Sequence, residues 1–288
     1  MSSTASLILP VDSSLPVDSG SINFKQGSIF FVGTATVILR YAGLTLLTDP
    51  NFLHQGDHIH LEFGLTSTRL TNPAIEIDQL PPLDLVLLSH MHDDHFDHIA
   101  SERLRKDLPI VTNPHAARSL HSQGFKVTTA LNTWDSVQIK KGETQLNITA
   151  MPGRHGPGIL AGILPPVMGS LLEFHTPEQQ QPFRIYISGD TLVYDQLKEI
   201  PQRYPNIDLA LIHLGGTQVF GIFLTMDAKQ GVKAIQMINP HRVIPIHYND
   251  YKVFKSPLGD FMQAAKAAGL EDRVHYLRHG ETFNFETI

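Results

Sequence analysis

The sequence predicts an α/β protein, and three observations predict it. Runs rich in β-branched and aromatic residues begin at Ser28, and strand–helix alternation takes over beyond residue 83, with no Pro- or Gly-rich linker between them. Apolar runs such as Leu85-Val86-Leu87-Leu88 are continuous rather than alternating, as in a strand covered on both faces. With 288 residues, 42% of them hydrophobic, the chain is long enough to bury a large core. The expected organisation is an N-terminal tail or extended arm over residues 1–24 and a single domain over 25–288.

Ser, Pro and Asp crowd the first 24 residues, where a Pro-Val-Asp-Ser phrase occurs twice; the phrase is too short for a repeat architecture. Segments 29–32, 35–40 and 44–48 read as strands, turned at Gly33-Thr34 and Ala42-Gly43, the third ending at Asp49-Pro50. Residues 51–82 lack periodicity and read as a long loop, a kind of segment that often carries function. Within it His54, His58, His60 and Arg69 are candidates for a substrate mouth, Arg69 as an anion clamp. After the strand at 85–88, residues 99–106 look helical, 110–111 form a strand, and 115–122 form a helix entered through Asn113-Pro114. Strands at 136–139 and 144–151 turn at Lys141-Gly142. Strands at 170–175 and 183–187 follow, the latter leading into Ser188-Gly189-Asp190-Thr191 and a helix to about residue 203. Residues 208–212 are a strand, 225–238 a helix with Thr225 as N-cap, and 243–246 a strand ending at His247. A helix at 257–268 closes on Gly269, and strands at 274–277 and 282–285 end the pattern.

Net charge is −6, the pI is near 6.2 and no basic block is present, which argues against nucleic acid as partner. Sixteen His and no Cys exclude disulfides and thiolate zinc sites, so any metal must sit on imidazole and carboxylate. The N-terminus has neither a basic region nor a long apolar core, and no apolar run approaches about twenty residues. The expectation is a cytoplasmic protein acting on a small molecule, with homo-oligomerisation left open.

Chemistry concentrates in residues 83–97, LDLVLLSHMHDDHFD. His90 and His92 are two apart, so on an extended segment they face one way and can share an ion. Asp94 and His95 diverge, which suits ligands of a second ion; both residue types suit Zn²⁺ and similar ions. His155, Asp190 and His247 also follow apolar strands, and in α/β sheets ligands gather beyond the carboxyl ends of strands. Four strand ends could thus deliver seven side chains to one place. His90, His92 and His155 would hold one ion, Asp94, His95 and His247 a second, and Asp190 would bridge, which makes a two-metal hydrolytic centre with ions roughly 3.5–4 Å apart.

Other residues gather around this set. Asp94 could also orient the attacking water or take its proton. Asp49 and Asp93 could accept the second ring N–H of a metal-bound His. His213 could protonate a leaving group or touch substrate, against the plainer reading of a satisfied buried His. Arg154, like Arg69, could contact an anionic substrate group.

The order H-x-H-x-D-H, a later His, the Asp of SGD and the His of PIHY resembles the metallo-β-lactamase-fold hydrolases, over nearly the whole chain from about Ser28. More narrowly, FVGTATVILRYAGLTLLTDP followed by LLSHMHDDHFD is similar to the branch containing ascorbate-6-phosphate lactonase and N-acyl-phosphatidylethanolamine phospholipase D, with Thr34 standing where relatives often place a His. The resemblance implies a four-layer αββα sandwich with metals at one edge. It also implies two divalent ions per chain, Zn²⁺ first and Mn²⁺ second, and a metal-bridging hydroxide that cleaves a small ester, lactone or phosphodiester. The competing reading is a non-hydrolytic di-iron sensor or redox protein on the same fold. An inactive scaffold would show eroded ligands, and all seven are present.

Overall fold

The computed structural model describes residues 5–9, 23–61 and 64–287. Two seven-stranded sheets dominate. The first runs Thr282–Glu286, Gln26–Gly33, Thr36–Tyr41, Leu44–Thr48, Leu85–Leu87, Ile110–Thr112, Thr128–Ala130. The second runs Ala5–Ile8, Ser136–Lys141, Thr144–Met151, Gly169–His175, Phe183–Ile187, Leu209–His213, Arg242–Ile246. Hairpins build one half of each sheet and parallel pairs the other half: Leu44–Thr48, Leu85–Leu87, Ile110–Thr112 and Thr128–Ala130 are parallel neighbours, as are Phe183–Ile187, Leu209–His213 and Arg242–Ile246.

The continuous apolar strands explain the layering. Leu85 and Leu87 share a core with Ile139, Leu172, Ile185, Leu211 and Ile244 of the opposite sheet, while Val86 and Leu88 turn the other way, onto Ala100, Ala116, Leu120 and Phe125. In the second sheet Leu209 and Leu211 face inward, and Ala210 and Ile212 pack on Ile235 and Phe261. Side chains alternate across a strand, so a strand apolar at every position must be covered twice. Helices His98–Arg103 and Pro114–Ser122 cover one sheet; Ala228–Ile238 and Leu258–Ala267 cover the other. The result is the four-layer αββα sandwich. Among the described residues no helix is long and apolar enough to cross a membrane.

Several local expectations change. The N-terminal arm is in part a strand: Ala5–Ile8 pairs in parallel with Ser136–Lys141, and Leu9 and Phe24 are buried. Residues 1–4 and 10–22 of that arm lie outside the described residues. The loop at 51–82 contains a hairpin, His58–His60 with Thr66–Thr68, and a 3₁₀ turn at Ile77–Gln79. Thr225 is not an N-cap. It is buried, takes the N–H of Thr217 and donates to the carbonyl of Leu214, while Asp227 caps the helix by accepting from the N–H of Gln230. The helix expected directly after Asp190 forms late, as a 3₁₀ turn at Asp195–Lys198 and a helix at Glu199–Arg203. At 274–277 a single bridge, Val274 to Val243, replaces the expected strand.

Away from the parallel-strand edge, Phe183 and Phe285 stack at 4.9 Å beside Tyr41, whose hydroxyl donates to the carbonyl of Phe24 at 3.0 Å. Phe285 is 2% exposed and joins the last strand to the inter-sheet core. Phe285→Ala should cost about 3–5 kcal/mol in equilibrium urea unfolding, from lost transfer energy plus the cavity left behind; a loss below about 1 kcal/mol would show that the two sheets close without it.

Candidate metal centre

Parallel strands of both sheets end at one edge. Asp49 follows Leu44–Thr48, His90 lies just past Leu85–Leu87, Asp190 just past Phe183–Ile187, His213 closes Leu209–His213, and His247 follows Arg242–Ile246. Beyond His90 the chain turns back, the carbonyl of His92 accepting the N–H groups of His95 and Phe96, which swings Asp94 and His95 inward. Gly189, at φ +61°, is required before Asp190, because a Cβ there would lie 2.9 Å from Val167 Cγ1 and 3.0 Å from the Met168 carbonyl.

The structure brings the seven expected side chains into two adjoining groups. His90, His92 and His155 each offer an atom within 4.8 Å of the others, as do Asp94, His95, Asp190 and His247. The rings are fixed through Nδ1. His155 Nδ1 lies 3.1 Å from the Leu224 carbonyl, His247 Nδ1 3.3 Å from the Leu214 carbonyl, His95 Nδ1 3.1 Å from Asp49 Oδ2, and His90 Nδ1 2.9 Å from Ser89 Oγ. Acceptors on Nδ1 set the tautomer and leave Nε2 as the lone-pair donor, the usual arrangement behind metal-binding histidines. His247 Nε2 points at Asp94 Oδ2, 3.3 Å away, and His95 Nε2 at Asp190 Oδ2, 3.2 Å away.

The electrostatics suit cations. Asp49, Asp94 and Asp190 are all buried. Burial alone would raise each carboxyl, yet histidines hold all three below their ordinary range: His95 and His247 bring Asp94 to about 2, and His247 and His95 act likewise on Asp190. Burial pushes His155 down to about 4 and His90 and His92 below their usual value, which keeps those rings neutral. Burial opposes charge on His95 too, but Asp190, Asp94 and Asp49 outweigh it and raise that ring. Among the described residues, Asp190 Oδ1 is buried without a hydrogen-bond partner. Buried carboxylates balanced by imidazoles whose ring nitrogens converge on one another and on Asp94 and Asp190 fit divalent ions.

Other expected residues fall elsewhere. Asp49 does reach a candidate ligand, through His95 Nδ1, and also accepts the N–H of Ser89. Asp93 does not: it turns outward to His60. His213 is fully buried, its Nδ1 3.2 Å from Ser188 Oγ and its Nε2 3.5 Å from Asp49 Oδ2, so it stands behind Asp49. Burial lowers its pKa. Arg69, expected at an open mouth, is fully buried; its guanidinium donates to Asn51 and Tyr251 and its Nε to the Thr71 carbonyl, because Arg69 bridges to Tyr251 beside the small hairpin. His54 pairs with Glu76 at the surface, 2.9 Å away, and His58 is exposed on its strand. Arg154, next to His155, is half-buried, with its guanidinium 4.5 Å from the Tyr194 ring centroid.

The sequence reading missed Asp250. Its Oδ2 accepts the N–H of Thr34 at 3.0 Å, and its Oδ1 meets the Thr71 hydroxyl and, at 3.2 Å, His279 Nε2. Thr34, at φ +52°, in turn accepts the N–H of His247 at 2.6 Å, and His247 itself sits at φ +61°. A β-branched residue in that region is a genuine outlier held by its surroundings. Nothing in the local pattern at residue 250 marks this role; only the contacts across 216 residues do.

A family model described as Beta-lactamase superfamily domain matches residues 46–248. The chain is 25% identical over 269 residues to UPF0173 protein YddR of Bacillus subtilis, across 88% of this chain and 98% of that one. It is 25% identical over 210 residues to a UPF0173 metal-dependent hydrolase of Rubrobacter xylanophilus, across 72% and 81%. Among solved structures, isothiocyanate hydrolase from Delia radicum gut bacteria superposes with a TM-score of 0.76 at 21% identity, covering 90% of this chain and all of that one.

If Asp250 holds His247 through Thr34, Asp250→Ala should weaken cation binding at the His247 group by about 10–100-fold and spare the His90 group. Asp250→Asn, which keeps an acceptor for the Thr34 N–H, should recover part of the loss. Stepwise Zn²⁺ titration of metal-stripped protein reads both, and equal weakening at both groups would reduce Asp250 to a general structural role.

Proposed function

The chain belongs to the beta-lactamase superfamily, and on that premise we propose that it is a binuclear metal-dependent hydrolase that cleaves an ester, lactone or phosphodiester bond of a small molecule. The observation that carries this reading is the pair of adjoining donor groups, four histidines with Nδ1 tied back and two carboxylates facing them. The name of the Rubrobacter xylanophilus relative, a metal-dependent hydrolase, supports the hydrolase part of it.

In this reading His90, His92 and His155 would hold one ion and Asp94, His95 and His247 the other. Asp190, 3.2 Å from His95 Nε2 and within the field of His90, would be the carboxylate shared between them. Divalent ions held there, Zn²⁺ or Mn²⁺ on this nitrogen and oxygen donor set, would supply hydroxide near neutral pH and polarise the scissile bond. The chain does the rest. Asp94, ionised at neutral pH, can orient the attacking water or accept its proton. Asp49 and the carbonyls of Leu214 and Leu224 keep three rings in one orientation, so little reorganisation accompanies reaction. Arg154, beside His155, is the cation placed to meet an anionic substrate group. With no Cys in the chain, a thiolate nucleophile is excluded.

Elemental analysis of the purified protein should give about two Zn or Mn per chain, with turnover of one class in a panel of chromogenic lactones, esters and phosphodiesters. Asp190→Ala should remove one or both ions and lower kcat by at least about 10²-fold. Unchanged metal content in that variant would sink the bridging role. Two irons per chain with no turnover on any substrate would replace the hydrolase by the redox or sensor reading.

A further inference from the structure

A small three-stranded sheet, Ile222–Phe223, Gly215–Val219 and Phe254–Ser256, is rooted in the candidate metal centre. A Cβ on Gly215 would lie 2.6 Å from the His247 carbonyl, and the Phe254 ring sits 4.5 Å from that of His247. Just past the sheet, the Leu224 carbonyl meets both His155 Nδ1 and the Gly156 N–H. From this root the hairpin extends outward for five residues, about 14 Å.

Its tip is chemically odd. Val219 pairs with Ile222 across a two-residue turn, Phe220-Gly221, with φ of +51° and +79°. A turn with both central residues at positive φ favours Asn, Asp or Gly in the first place. Phe220 occupies it instead, in a left-handed backbone and 80% exposed. One residue therefore bears both backbone strain and an aromatic ring that the described residues leave largely exposed. Ile222, 40% exposed, follows the turn, and Ile163, 59% exposed, adjoins Leu164, which packs in a small buried cluster with Val219 and Leu224, Leu65 against it. Charge is missing as well: residues 156–172 and 214–226 contain no Asp, Glu, Lys or Arg, in a chain that is 17% charged.

We propose that Phe220, Ile163 and Ile222 form a lip that receives an apolar, uncharged arm of the substrate, so the centre acts on molecules with a hydrophobic acyl or aryl group. This deepens, and rests on, the hydrolase reading. Continuity with His155 and His247 favours substrate as the occupant over a lipid surface or a second copy of the chain.

Phe220→Asn installs the residue that the turn prefers, so the fold is retained. The full chain as purified, with its metal, is titrated with N-phenyl-1-naphthylamine, an uncharged fluorescent apolar probe. Binding should weaken about tenfold in the variant, the scale of one lost aromatic contact. The ratio of KM for p-nitrophenyl acetate to that for p-nitrophenyl octanoate should fall by a similar factor. Equal probe binding by both proteins overturns the lip. So does binding of the wild type to phosphatidylcholine vesicles, or its dimerisation in sedimentation, that Phe220→Asn abolishes, since either gives the ring another occupant. Probe binding lost in the variant while the wild type hydrolyses nothing keeps the lip and overturns the hydrolase. Turnover with a KM ratio unaffected by the variant does the reverse.

Discussion

Three carboxylates buried at one edge of the sandwich constrain everything around them. Asp49, Asp94 and Asp190 are at most 5% exposed, and the groups that lower their pKa values are histidines. An ionised carboxylate taken out of water costs several kcal/mol unless it is paired and hydrogen-bonded. An imidazole is a weaker counter-charge than a divalent ion: burial opposes its protonation, and it is the surrounding carboxylates that raise His95 and His247 above their ordinary value. Without a stronger positive charge the arrangement is expensive, and with divalent ions it is balanced. The fold delivers it by ending parallel strands of two different sheets at the same edge. Shifting either sheet by one residue would send each side chain to the opposite face.

The backbone bears part of the cost. Thr34, Asp49 and His247 all have positive φ, and none is glycine. Each sits where a strand stops and its side chain or carbonyl must turn sideways into the edge. A left-handed conformation costs an L-residue roughly 1–2 kcal/mol, and hydrogen bonds offset it here. The Thr34 N–H goes to Asp250, its carbonyl takes the His247 N–H, and the Asp49 N–H goes to the Leu87 carbonyl. Strain of this kind persists only where surrounding contacts over-determine the geometry.

The sequence showed most of the fold and most of the centre for one reason: both are written in short-range pattern. Apolar strands, their ends and the ligand phrase at 90–95 are contiguous, so 85–88, 183–187, 208–212 and 243–246 were legible, along with the His and Asp that follow them. What could not be read depends on contacts between distant segments. Arg69 looks like an exposed clamp until Asn51 and Tyr251 close over it. Thr225 looks like a cap until Leu214 and Thr217 claim its hydroxyl, leaving Asp227, two residues on, to take the role. Asp250 carries no local signal at all. The sequence pattern assigns no element between 212 and 225, although Gly215 and Gly216 begin a strand, because glycine is a poor strand former and its use at Gly215 is to let the His247 backbone come close.

The same comparison separates strain with a structural return from strain without one. His247 spends its unfavourable φ on a hydrogen-bonded position facing Asp94. Phe220 has a φ in the same region, yet its ring packs on little and Asn would fit the turn better. Among the described residues packing does not account for the ring at the tip, and an occupant from outside the chain would. The tip belongs to a sheet whose other end touches His155 and His247. A ligand reaching from the centre along the hairpin is the contact that would meet both ends, and it would give the exposed ring the burial that the fold withholds.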